Sequence, residues 1–123
     1  MCAGFVGVPS GGSITMENLV MQGNVKGERN TAGIFACNEG GVQVTMTNCG
    51  VSGHIEGGYE NGAMSGWSGN AAVTNCWFVG TIEGYDGENN AFCRGFATLT
   101  NCYSVIGQKT GVTNISAEAA ASG

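Results

Sequence analysis

General acid–base chemistry needs carboxylates grouped closely enough for one to hold a proton while another stays ionised, often with a basic residue alongside. This sequence has a single aspartate, Asp86, and its glutamates are dispersed. Glu56 and Glu83 do hold equivalent places in two related segments, HIEG and TIEG, and Lys26 holds that place in a third. On neighbouring strands such side chains lie within about 5 Å of one another, and the lysine makes them a solvated charge ladder rather than a catalytic pair. No enzyme activity is expected. With one histidine, His54, and no CxxC pair, no zinc site is expected either. Two loops carry more promise. Gly58-Tyr59-Glu60-Asn61 and Gly84-Tyr85-Asp86-Gly87-Glu88-Asn89 each set a tyrosine beside an acidic residue and an asparagine. Aromatic faces flanked by polar groups suit sugars, whereas the oxygen ligands are too sparse for a calcium loop. Tyr59, Glu60, Tyr85 and Asp86 are therefore candidate ligand-binding residues, with Trp77 and Tyr103 as further aromatic candidates. The competing reading is a pair of polar turns with tyrosines on the surface. No metal or cofactor is implied.

Composition narrows what could position these residues. The chain has 123 residues, 23 glycines and one proline; 42% of residues are apolar and 11% charged. That is too apolar and too weakly charged for a disordered chain. It is also too glycine-rich for helices, where an interior glycine costs about 1 kcal/mol relative to alanine. The four basic residues, Lys26, Arg29, Arg94 and Lys109, are scattered in a chain of net charge −5, so the clustered cationic surface that nucleic acid requires is missing. No apolar run approaches the roughly 18 to 20 residues of a membrane span. No leader peptide is visible after Met1, and a secreted parent with its leader removed, or an internal fragment, reads the same way.

The organising feature is repetition. Met16–Gly27 (MENLVMQGNVKG), Met46–Gly57 (MTNCGVSGHIEG), Val73–Gly84 (VTNCWFVGTIEG) and Leu99–Gly111 (LTNCYSVIGQKTG) are variants of one segment, and their asparagines Asn18, Asn48, Asn75 and Asn101 are 30, 27 and 26 residues apart. A period in this range marks a solenoid or an array. Units of about 3–30, 31–61, 62–89 and 90–111 follow, with 112–123 as a cap, linker or frayed tail. Before each asparagine, residues alternate apolar and polar with the period of a strand, as in Ser13-Ile14-Thr15-Met16-Glu17 and Val42-Gln43-Val44-Thr45-Met46-Thr47. The outward threonines of these strands are interrupted at Glu17 and Ala72, which argues against the flat threonine array of an ice-binding face. Past the asparagine, Val25, Ile55 and Ile82 continue an inward set around Gly23, Gly53 and Gly80.

No unit can bury its apolar face alone, whereas stacked units share one core. Met16, Met46, Val73 and Leu99 then form one inward column. The expected fold is all-β, a right-handed parallel β-helix of about four coils. Asparagine tolerates left-handed backbone and bonds nearby backbone groups, so Asn18, Asn48, Asn75 and Asn101 are expected at a corner. Cys49, Cys76 and Cys102 share their place with Leu19; a slot that accepts leucine or cysteine is a buried apolar column, and free cysteine packs as a small hydrophobe. The six cysteines are an even number, yet these three are expected as thiols, with Cys2, Cys37 and Cys93 left open.

The openings Ala3-Gly4-Phe5-Val6-Gly7 and Ala32-Gly33-Ile34-Phe35-Ala36, together with Asn75-Cys76-Trp77 and Asn101-Cys102-Tyr103, resemble the GLUG motif repeats of bacterial surface proteins. The resemblance spans about residues 3–111, although the third opening, Gly62-Ala63-Met64-Ser65-Gly66, and the fourth are degenerate. It implies an extracellular, adhesin-like, non-catalytic module and carries no catalytic residues. Because the first unit begins almost at Met1 without an evident cap, the expected partners are flanking repeats of a longer chain or a second copy stacked end to end into a filament. Glycans are the alternative partner, through a carbohydrate-binding surface on the tyrosine loops.

Overall fold

The computed structural model describes residues 3–5, 11–38, 42–85, 89–106 and 112–114. Its strands, in chain order, are β1 (Ser13–Glu17), β2 (Val20–Lys26), β3 (Phe35–Asn38), β4 (Gln43–Thr47), β5 (Gly50–Glu56), β6 (Asn61–Gly62), β7 (Ser65–Thr74), β8 (Trp77–Glu83), β9 (Asn89–Asn90), β10 (Cys93–Thr100), β11 (Cys102–Ser104) and β12 (Val112–Asn114). All described pairings are parallel. One sheet runs β1-β4-β7-β10 with β3 also on β7, a second runs β12-β11-β8-β5-β2, and a third pairs β6 with β9. Among the described residues no helix is long and apolar enough to cross a membrane.

Pairing follows the repeat. In the first sheet Met16 faces Met46, Met46 faces Val73 and Val73 faces Leu99. In the second, Val25, Ile55 and Ile82 are successive partners, as are Gly23, Gly53 and Gly80. The uneven period also has a place in the structure. Phe35 pairs Ser65, 30 residues on, but Val44 pairs Ala71, 27 residues on. The second unit thus splits into β3 and β4 what the third makes as the single strand β7. The register shifts twice more in β10, between Cys93 and Arg94 and again between Gly95 and Ala97.

The buried faces share one core. Phe35, Phe78, Ile55, Met46, Met64, Val44, Val51 and Val73 are fully buried within it, and each large apolar side chain removed from water contributes about 1.5–3 kcal/mol. Leu19 and Ile82, expected inside, pack against the core while only partly buried. Val112–Asn114 pairs with Cys102–Ser104 and so extends the second sheet past residue 111.

Two kinds of residue turn the chain between sheets. Asn18, Asn48, Asn75 and Asn101 all take left-handed backbone, with φ of 57, 54, 52 and 50°. Their amides are tied to the next unit, Asn18 N to Thr47 O at 3.0 Å, Asn48 N to Thr74 O at 3.1 Å and Asn75 N to Thr100 O at 3.0 Å. Asn48 Nδ2 also donates to Asn18 Oδ1 at 3.3 Å. A second left-handed corner uses Asn30 (φ 49°) and Glu60 (φ 55°). Within the second sheet the glycine column takes positive φ and lets the rungs approach closely. A Cβ on Gly53 would sit 1.8 Å from Gly23 O, and one on Gly80 1.9 Å from Gly53 O, so no side chain fits between these rungs.

Candidate functional site

The two tyrosine loops come together at the end of the second sheet. Tyr59 forms a bridge with Arg29 on one side, and Tyr85 N donates to Gly58 O at 3.0 Å on the other. The repeat therefore stacks the loops one above the next, as their spacing implies. The two rings meet edge to face, centroids 4.8 Å apart and planes at 77°, an arrangement aromatic quadrupoles favour. Each ring is more than half exposed. Gly58 makes room for this contact, because a Cβ there would lie 3.2 Å from Tyr85 Cε2 and 2.8 Å from Glu28 O. Together with Gly27, Glu28, Arg29 and Gly57, the tyrosines line an open pocket of about 510 Å³.

The acidic candidates stand differently. Glu60 turns inward to its own corner: its Oε2 accepts from Asn30 Nδ2 at 2.8 Å and from Arg29 Nε at 3.1 Å. Its carboxylate thus holds the backbone turn and fixes Arg29 at the pocket wall. Asp86 lies outside the described residues. What the loops offer is two phenols and a guanidinium, with Glu28 and the glycine backbone, around an open hollow.

Trp77 and Tyr103 form a separate place. They are register partners on β8 and β11, at the opposite ends of the strands from the tyrosine loops and so roughly 20 Å away along a seven-residue strand. Trp77 breaks the repeat, which has Val20 and Gly50 at this place. The reason is packing: a Cβ on Gly50 would lie 2.0 Å from Trp77 Cε2 and 2.2 Å from its Cζ2. The indole lies across the glycine of the neighbouring rung and is half-buried there, while Tyr103 remains exposed.

The cysteine column is buried, with Cys49, Cys76 and Cys102 as free thiols. Cys37, left open above, is buried and makes no disulfide; Cys2 lies outside the described residues. Each thiol in the column lies against two carbonyls, one two residues back and one on the preceding rung. Cys49 Sγ is 3.4 Å from Thr47 O and 3.6 Å from Met16 O. Cys76 Sγ is 3.3 Å from Thr74 O and 3.9 Å from Met46 O, and Cys102 Sγ is 3.5 Å from both Thr100 O and Val73 O. Cys49 N in turn donates to Cys76 Sγ at 3.4 Å. The slot is more than apolar, since a weak S–H donor faces the Thr47, Thr74 and Thr100 carbonyls, which also accept the amides of Asn18, Asn48 and Asn75. Burial pushes the Cys76 thiol up to about 12 and raises that of Cys102. Neither has the thiolate character of a nucleophile.

The charge ladder is present and richer than expected. Lys26 Nζ lies 3.0 Å from Glu56 Oε1. Glu83, the register partner of Glu56, instead approaches His54, Oε2 to Nε2 at 3.6 Å. His54 Nδ1 is 2.6 Å from Thr81 Oγ1. The alignment of HIEG with TIEG sets Glu56 beside Glu83, but the reach of His54 to Thr81 and Glu83 depends on side-chain direction across two repeat units, which that alignment does not give.

Comparison with protein-family models, with curated proteins and with solved structures finds no match. Function must therefore be argued from the geometry alone.

Proposed function

We propose that this chain is a non-catalytic structural or adhesive module of a bacterial extracellular or cell-surface protein. Its three parallel sheets close around the common core as a right-handed parallel β-helix of about four coils. Right-handed crossovers between parallel strands are the strongly preferred connection, and each unit passes through the sheets in the same order. The GLUG-like segments are read here as the corners and inward faces of those coils.

The observation that carries the reading is the continuous residue-for-residue register of β2, β5 and β8 in the second sheet, together with open edges. Among the described strands, none pairs with the outer edge of β1 or of β2. A stack that terminates in unpaired backbone invites another rung. The next rung is a flanking coil of a longer chain or the far end of a second copy, and head-to-tail contacts of the latter kind propagate into a filament. Light scattering with negative-stain microscopy tests the filament. Rods of one coil diameter that lengthen with concentration are expected, and a monomer stable across dilution rules it out.

A second reading rests on the Tyr59–Tyr85 pair and its pocket, which fit a carbohydrate-binding surface. Binding on a glycan array, with Tyr85→Ala lowering the signal at least about tenfold through loss of one stacking face, is the expected result. An array without hits removes this reading.

A further inference from the structure

On the solvent face of the second sheet, three side chains with metal-ligating atoms converge from two coils. His54 and Glu56 are two residues apart on β5, hence on the same face, and Glu83 is the partner of Glu56 on β8. One ligand atom from each, an imidazole nitrogen and two carboxylate oxygens, lies within 4.8 Å of the others. We propose that His54, Glu56 and Glu83 bind a divalent transition metal, with zinc the best fit, linking adjacent rungs of the sheet.

Zinc is held tetrahedrally by nitrogen and oxygen at about 2.0–2.2 Å, so its ligand atoms stand roughly 3.3 Å apart. The Nε2–Oε2 separation of His54 and Glu83 is already 3.6 Å. The remaining distances close by rotation of exposed glutamate side chains on a rigid backbone, and the two carboxylates with a neutral imidazole balance the charge of the ion. Thr81 supplies the outer support that a ligating histidine needs. In the tautomer whose Nδ1–H donates to Thr81 Oγ1, 2.6 Å away, Nε2, the nitrogen that faces Glu83, presents its lone pair to the metal. The imidazole also separates this group from a simple acidic patch, because it favours zinc over magnesium or calcium, which take oxygen ligands. Lys26, 3.0 Å from Glu56, competes with the metal for that carboxylate.

Calorimetric titration of the reduced, intact chain with zinc chloride tests the site. Saturable binding of one ion is expected, accompanied by a rise in melting temperature, because a ligand that binds only the folded state stabilises it. His54→Ala and Glu83→Gln should each weaken binding at least about tenfold, the scale of losing metal-site partners, and Lys26→Met should tighten it. Cobalt substitution should give a spectrum without a thiolate charge-transfer band. Equal zinc affinity in Glu83→Gln, a thiolate band, or no saturable binding to the wild type would each overturn the assignment. Glu83→Gln keeps the side-chain shape on an exposed position, so its result stands even if His54→Ala disturbs the sheet.

Discussion

At the scale of single residues, the thiol column shows how a side chain can serve a fold by staying protonated. Cys76 is pushed from 9.0 to about 12, chiefly by desolvation, because a thiolate there would face carbonyl oxygens in an apolar core. Linkage fixes the sign of the consequence. Below about pH 9 the folded and unfolded chains both hold the proton, and the stability of the neutral thiol slot is fully present. Between about pH 9 and about pH 12 the unfolded chain releases its proton while the folded chain keeps it, so stability falls as pH rises. Urea midpoints measured under reducing conditions should therefore decline across that window, and Cys76→Ala should flatten the decline. A wild-type curve as flat as the variant's would show that the thiol is not held neutral by the fold. The same burial predicts that alkylation of Cys76 below pH 9 proceeds only through unfolding, at a rate that rises with urea.

Individual strands are where sequence reasoning reached furthest and where it stopped. Alternation over Ser13–Glu17 and Gln43–Thr47 was enough to place β1, β4 and their inward faces, and the recurring asparagines located the left-handed corners. Those features are local, set by one residue's own backbone preference or by the two-residue pleat. Contacts between repeat units were not legible in the same way, because they depend on register to the residue. The fusion of β3 and β4 into β7, the His54–Thr81–Glu83 group and the inward turn of Glu60 all follow from which residue faces which across a gap of 27 or 30 positions. Trp77 is the sharpest instance. Its size is legible only beside Gly50, whose missing side chain gives the indole its bed. This pairing predicts strong coupling. Gly50→Val alone collides with the indole and should cost about 1–3 kcal/mol as overpacking. Trp77→Val alone uncovers the neighbouring backbone, and the two together should restore the Val20-like column with a coupling energy of about 0.5–3 kcal/mol. Additive losses in a double-mutant cycle by chemical denaturation would mean that Trp77 does not lie on Gly50.

For the molecule as a whole, the glycine column measures whether the open edge of β2 is a true end. At Gly53 and Gly80 a Cβ would strike the carbonyl oxygen of the preceding rung, but around a Cβ on Gly23 nothing among the described residues lies within 4 Å. Since the three positions share one register, the same bond direction at Gly23 points away from β5, into the place that a preceding rung would fill. Its backbone, at φ 131°, already disfavours a side chain, so Gly23→Ala should cost the isolated chain about 1–3 kcal/mol. Gly53→Ala adds a backbone collision to that strain and should cost more than about 4 kcal/mol, in the range reserved for disrupted cores. Stability in urea separates the two. Association separates the meanings of the edge. If copies stack on β2, Gly23→Ala places a methyl group where the incoming backbone must approach, and sedimentation should show assembly lost in a variant that still folds. Assembly undiminished in Gly23→Ala would exclude the β2 edge as the contact. A wild type that never assembles would instead assign the place beside Gly23 to a coil of a longer chain, and appending one further repeat before Ser13 should then raise the melting temperature only when position 23 remains glycine.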